Sequence, residues 1–173
     1  MTARTRTSIG WAALLAAVLV CALGGWSYAQ ARGDDDLAYA KTRDTALADG
    51  KADLARLNSL DGKDAKSVDA GLSGWLGSST GPLHEQLKRT RTKDASELTK
   101  SGSTARGKVT DAALTALDER TGTAQMIATV DVQVTPRTGK GGTERKRFEA
   151  TLARTAEGWK VKALTAIPVG SGT

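Results

Sequence analysis

Hydrophobic and polar positions divide the chain into three stretches of different period. Residues Ile9 to Trp26 carry no charge, and as a helix rising about 1.5 Å per residue they extend roughly 27 Å, close to the ~30 Å hydrocarbon core of a bilayer. From Asp34 to Leu60 the pattern becomes amphipathic and Ala/Leu-rich, with Leu37, Ala40, Leu47, Leu54 and Leu57 spaced by threes and sevens, and predicts a long helix. Its acidic start suits the positive end of a helix dipole, and Asp34 or Asp35 is a natural N-cap. After the break at Asp61-Gly62, Val68, Leu72, Trp75 and Leu76 mark the buried face of a second helix. Pro82 then suits the first turn of a third, which carries Leu83, Leu87 and Leu98.

The second half alternates with period two. Met126, Ala128, Val130, Val132 and Val134 alternate with Gln125, Thr129, Asp131, Gln133 and Thr135, which predicts a half-buried strand. A weaker strand precedes it over Lys108 to Leu117, with Thr121-Gly122 in the turn. A third runs through Phe148, Ala150 and Leu152, and a fourth through Trp159, Val161, Ala163 and Ile167, joined at Ala156-Glu157-Gly158. Three helices before a four-stranded antiparallel meander predict an α+β domain, with helices covering one face of a curved sheet.

The apolar stretch gives the chain its place in the cell. Trp11 at one end and Trp26 with Tyr28 at the other suit the two headgroup regions, and Leu14, Leu15, Val18, Leu19, Cys21 and Leu23 fill the span between. Arg4 and Arg6 before it, and Asp34 to Asp36 after it, predict an N-terminus inside and the rest outside the cytoplasmic membrane. The expected organisation is a cytoplasmic tail (1–8), a transmembrane helix (9–28), a juxtamembrane long helix that begins the domain (29–60), the remaining extracytoplasmic domain (61–169) and a short tail (170–173). A competing reading is a signal peptide cleaved after Ala31 of Ala29-Gln30-Ala31, which would make a secreted protein. The stretch exceeds the usual apolar region of about 7–15 residues in such peptides, which favours the anchor.

Composition narrows the chemistry. One His and one Cys among 173 residues exclude a Cys/His zinc centre, an iron–sulfur cluster or an internal disulfide within one chain. No metal or cofactor is expected. Residues 32–100 hold 12 basic and 12 acidic side chains, whereas 101–173 hold 11 and 7, so the sheet half is the basic half. Arg137, Lys140, Arg145, Lys146 and Arg147 concentrate that excess at the second hairpin, a candidate interaction surface for anionic headgroups or an acidic partner; ordinary solubilising charge is the simpler reading. The excess is too small, and too poor in aromatic neighbours, to argue nucleic acid.

The motif order resembles the Mce-associated membrane proteins of actinobacteria. The matching residues are Ile9 to Trp26, the helix end Leu47 to Leu60, Thr80-Gly81, and Gly158-Trp159-Lys160-Val161. The resemblance implies a nuclear-transport-factor-2-like, cystatin-like fold outside the cytoplasmic membrane, in an assembly or stabilising subunit of complexes that import lipids or sterols. Leu83 stands where those proteins often have an aromatic residue. Type IV secretion assembly factors have a similar anchor-plus-fold plan. Read from the residues alone, Thr80 is a helix N-cap, Gly81 supplies an uncommon φ, and Trp159 with Val161 is core. A pocket walled by Trp75 and Trp159, suited to a lipid-like ligand, is the alternative.

The same fold class includes isomerase- and cyclase-like enzymes, which need a carboxylate or imidazole of tuned pKa and an oxyanion donor. Such groups are scarce: Tyr28 and Tyr39 belong to the anchor and its neck, His84 falls in the first turn of a helix, Asp131 is expected to face water, and Asp111 and Asp118 flank a weak strand without a recognisable partner. A non-enzymatic accessory subunit is the expectation.

Overall fold

The computed structural model describes Cys21, Trp26, Tyr28 and residues 36–168. The chain divides into two units, Met1–Lys41 and Thr42–Thr173. In the first, the described residues are helical and mostly exposed, Cys21 and Trp26 among them. The expected anchor positions Trp11, Leu14, Leu15, Val18, Leu19 and Leu23 lie outside the described residues, as does the tail 170–173. Among the described residues no helix is long and apolar enough to cross a membrane.

In the second unit three helices lie on an antiparallel sheet. Residues 42–57 form α1, followed by β1 (Leu60–Asp61), α2 (Ala65–Gly77), α3 (Gly81–Ser101), β2 (Thr104–Asp118), β3 (Thr123–Thr135), β4 (Gly142–Thr155) and β5 (Gly158–Ile167). The strands are ordered β1-β2-β3-β4-β5, each antiparallel to the next. The expected α+β class holds, but there are five strands where four were expected, and helix α1 stops at Leu57, before Leu60. Asn58 and Ser59 explain both differences. The Asn58 amide donates to the Leu54 carbonyl at 2.9 Å and the Ser59 hydroxyl to the Ala55 carbonyl at 2.8 Å, so side chains satisfy the last turn. The freed chain then pairs Leu60 and Asp61 with Ala105 and Thr104.

The main core lies between α1 and the inner face of the sheet. Ala46, Gly50, Asp53, Leu54 and Leu57 form one stripe of α1, spaced i, i+4, i+7, i+8 and i+11. Gly50 sets the helix–sheet distance: a Cβ there would sit 2.8 Å from Leu152 Cδ1 and 3.0 Å from Met126 Sδ. Opposite it, Ala124, Met126, Ala128, Val130, Val132, Phe148, Ala150, Leu152, Trp159 and Val161 are buried. A satellite core of Leu60, Val68 and Leu72, with Trp75, Ala95 and Leu98 packed against it, joins β1 to the α2–α3 pair. Asp64 caps α2, accepting from the Ser67 amide at 2.8 Å. Arg91 ties α3 to α2 through Asp69 at 2.6 Å and Ser73 at 2.9 Å.

Three bulges account for alternation that the sequence hides. In β2 the pairing shifts between Val109 and Asp111 and again between Leu114 and Ala116. Each shift adds one residue, so Val109, Ala112, Leu114 and Leu117 all share the inner face although their spacing is irregular. This is why Lys108 to Leu117 reads as a weak strand. In β5 the partners of Leu152 and Thr151 are Val161 and Ala163, leaving Lys162 as the extra residue. Parity flips there: Leu164 packs on the core, whereas Ala163 and Ile167, expected inside, are exposed.

Candidate functional site

The two short motifs at Thr80-Gly81 and Gly158 to Val161 are separated by some eighty residues and meet at one place. The Thr80 amide donates to the Val161 carbonyl at 2.9 Å, and the Val161 amide donates to the Ser78 carbonyl at 3.1 Å. These two bonds make a one-residue parallel bridge between the α2–α3 corner and the outer edge of β5. Thr80 is the N-cap of α3 by backbone geometry, without a side-chain capping bond, and Gly81 follows at φ +56°. The corner is closed by His84, whose Nδ1 lies 3.0 Å from the Leu76 carbonyl. A carbonyl only accepts, so that nitrogen carries the proton.

From the other side α1 supplies two carboxylates. Asp49 Oδ2 accepts the Trp159 amide at 3.0 Å. Gly158, at φ +105°, brings the strand start so close that a Cβ would lie 2.9 Å from the same oxygen. One turn on, Asp53 is only 5 % exposed, and its Oδ2 is 3.7 Å from Lys160 Nζ. Asp53 Oδ2 and Ser78 Oγ are buried without a hydrogen bond of ordinary geometry. Burial raises the Asp53 pKa above its ordinary 3.8, against the opposing pull of Lys160, Ser78 and Arg56, with Asp49 adding to the rise. The junction thus joins α1, the α2–α3 corner and β5 through main-chain bonds and two aspartates. Sequence reasoning identified its glycines and Trp159 and missed both aspartates. The signal was present: Asp53 falls on the apolar stripe of α1, where a charge needs a partner.

The other candidates are dispersed. On the outer face of the sheet, Asp131 accepts from Arg145 at 2.8 and 3.3 Å, and that bond lowers its pKa. Asp118 is held below its ordinary value by the amides of Thr121 and Arg120 in the β2–β3 turn. Asp111, Thr129, Arg147 and Ile167 are successive cross-strand neighbours. They border an open hollow of about 560 Å³ on the face away from the helices, with Ile127 and Ala113 beside them. Tyr28 and Tyr39 are exposed in the first unit. Trp75 donates to the Ser59 carbonyl at 2.9 Å in the satellite core, while Trp159, 2 % exposed, belongs to the main core. The two do not wall a common pocket. Among the described residues no three His, Cys, Asp or Glu side chains gather where they would hold a metal ion.

The five hairpin cations also separate. Arg145 pairs with Asp131, and Lys146 with Glu144 at 3.3 Å. Arg147 borders the outer hollow, whereas Arg137 and Lys140 stand at the β3–β4 tip.

No protein family and no curated protein matches the sequence. Solved structures do resemble the fold. CagV, a VirB8 homolog of T4SS from Helicobacter pylori strain 26695, is 12% identical with a TM-score of 0.53, covering 70% of this chain and 98% of CagV. A periplasmic fragment of TraM is 14% identical with a TM-score of 0.54, covering 70% and 94%. The periplasmic domain of DotI is 9% identical with a TM-score of 0.53, covering 71% and 93%. At such identities the shared property is the fold: helices on a curved antiparallel sheet.

Proposed function

We propose that this chain is a non-enzymatic accessory subunit of a cell-envelope machine, a nuclear-transport-factor-2-like domain held outside the cytoplasmic membrane by the helix of residues 9–28. The observation that carries the reading is the shared fold with CagV, TraM and DotI, each covered over nearly its whole solved length, two of them described as periplasmic. The site geometry supports it. The residues of the two motifs serve to lock elements together, and Asp53 is buried behind them, 3.7 Å from Lys160.

Two machines fit. The motif order of Thr80-Gly81 and Gly158 to Val161 behind an apolar N-terminus supports an Mce-type importer of lipids or sterols. The likeness to CagV, described as a VirB8 homolog of T4SS, supports a secretion-type assembly instead. Mild crosslinking in native membranes followed by purification of the tagged full chain decides between them. Transporter subunits in the crosslinked product support the first and secretion-channel subunits the second. Recovery of the chain alone, or turnover of a small substrate lost with Asp111→Asn, sinks the accessory reading. Intact mass of the native product tests the anchor, since cleavage after Ala31 would remove it.

A further inference from the structure

The junction sits where the middle of α1 meets the start of β5. At the other end of the second unit, three separate segments bring cations to one surface. Arg137 stands between two hollows. One, of about 630 Å³, is bordered by Ala65, Ala95, Ser96, Thr99, Lys100 and Arg137. The other, of about 270 Å³, is bordered by Lys63, Gly102, Thr104, Thr135, Pro136 and Arg137. Their linings contain three cations and no carboxylate.

Two nearby acids are already engaged. Asp61 Oδ1 accepts from the Lys63 amide and the Thr104 hydroxyl, both at 3.1 Å, and its Oδ2 lies 3.7 Å from Lys63 Nζ. Asp64 caps α2. Arg137 and Lys100 make no ion pair and no side-chain hydrogen bond among the described residues, and Lys140 stands exposed at the adjoining tip. Arg137 is placed by backbone. Gly102 ends α3 at φ +61°, its amide bonded to the Leu98 carbonyl at 3.0 Å, and the guanidinium lies where a Cβ on Gly102 would be. The negative end of the α3 dipole holds the cation there. One guanidinium has five donors, and its planar fork matches a carboxylate.

We propose that this surface binds an extended acidic segment of a partner protein, with Arg137 between two acidic side chains, Lys100 facing one and Lys63 the other. On an extended chain, residues i and i+2 project on the same side about 6.6 Å apart, a spacing that straddles one guanidinium. An anionic bilayer fits the surface less well. Lipid-binding surfaces combine cations with inserted apolar or aromatic side chains, and among the described residues Val134 is the one exposed large apolar residue near the tip. The proposal deepens the accessory-subunit reading and rests on it for the existence of a partner. Its test needs no partner, so failure of the test removes this surface and leaves that reading standing.

The full chain in phosphatidylcholine nanodiscs is titrated into a fluorescein-labelled octapeptide of alternating Glu and Ser, followed by anisotropy at 50 and 300 mM salt. The expected result is saturable binding that weakens about tenfold or more in Arg137→Ala and in Lys100→Ala. Binding falls with salt, is absent for the Gln-for-Glu peptide, and is unchanged in Arg147→Ala on the outer sheet face. Thermal midpoints of the variants confirm folding. No saturable binding at 50 mM salt overturns the proposal, as does equal weakening in Arg147→Ala, which would report net charge alone. Binding to phosphatidylglycerol nanodiscs without binding to the peptide, lost in the same variants, overturns it in favour of lipid.

Discussion

The two ends of the second unit use polar groups in opposite ways. At the α1–corner–β5 junction, the amides of Thr80, Val161 and Trp159 donate to the Val161 and Ser78 carbonyls and to Asp49, and Asp53, Ser78 and Trp159 are buried. At the tip, Arg137, Lys100 and Lys140 face solvent, and the left-handed turn at Gly102 sets the backbone against which Arg137 lies. Hydrogen bonds that tie one element's main chain to another fix a geometry, while exposed charges of one sign leave theirs to a partner. The junction therefore reads as what holds the helices to the sheet, and the tip as what this scaffold presents.

That contrast predicts unequal sensitivity to substitution, greatest at Trp159. Trp159→Ala removes the largest side chain at the junction and is expected to destabilise by about 3–5 kcal/mol. Thermal unfolding followed by circular dichroism measures it; a loss under 1 kcal/mol would mean the junction is not part of the main core. Next comes Gly158→Ala, which forces a Cβ toward Asp49 Oδ2 at a φ that L-residues rarely adopt. The expected cost is about 1–3 kcal/mol, with faster hydrogen exchange at the Trp159 amide because its carboxylate acceptor is displaced. Unchanged exchange at that amide would remove Asp49 from the junction.

How much of this was legible beforehand follows from the physics of each element. The helices and β3 were readable because one period runs unbroken through them, from Val68 to Leu76 and from Met126 to Val132. β1 was not, since two residues have no period; only the capping bonds of Asn58 and Ser59 release Leu60 into the sheet. β2 and the end of β5 were misread where bulges at Thr110, Thr115 and Lys162 reverse the face of every later residue. At the junction, Gly158, Trp159 and Thr80 stood out by residue type. Their meeting, and the arrival of Asp49 and Asp53 across more than a hundred residues, depend on tertiary contacts that no local pattern encodes.

Asp53 sharpens the comparison through pH. Its pKa is raised in the folded chain above the ordinary 3.8, so between those two values the folded state binds the proton more tightly than the unfolded one. Its contribution to stability is therefore greatest below 3.8 and falls as pH rises through the folded pKa. Asp61, Asp64, Asp118 and Asp131 have lowered pKa values, and what they contribute is lost as pH falls below 3.8. These four are common to the wild type and to Asp53→Asn. The difference in unfolding free energy between the two proteins thus isolates Asp53, and it is expected to move against the wild type as pH rises from 4 toward neutrality. Denaturant titrations at several pH values measure the difference. Movement in the wild type's favour would mean that attraction to Lys160 outweighs burial.

The smallest effect is expected at the tip, and its smallness carries the argument. Arg137→Ala removes a cation that lies against the α3 terminus but has no hydrogen bond or ion pair among the described residues. Loss of its attraction to the helix dipole is the main stability term, so the thermal midpoint should shift by no more than about 2–4 °C. High salt screens an exposed dipole contact, so the shift should shrink further at 0.5 M. The same residue is expected to dominate binding of an acidic peptide, and a functional surface is recognised by that separation of binding from stability. A midpoint drop comparable to that of Trp159→Ala would place Arg137 with the junction residues, as a structural clamp, and would end the distinction between the two ends of the molecule.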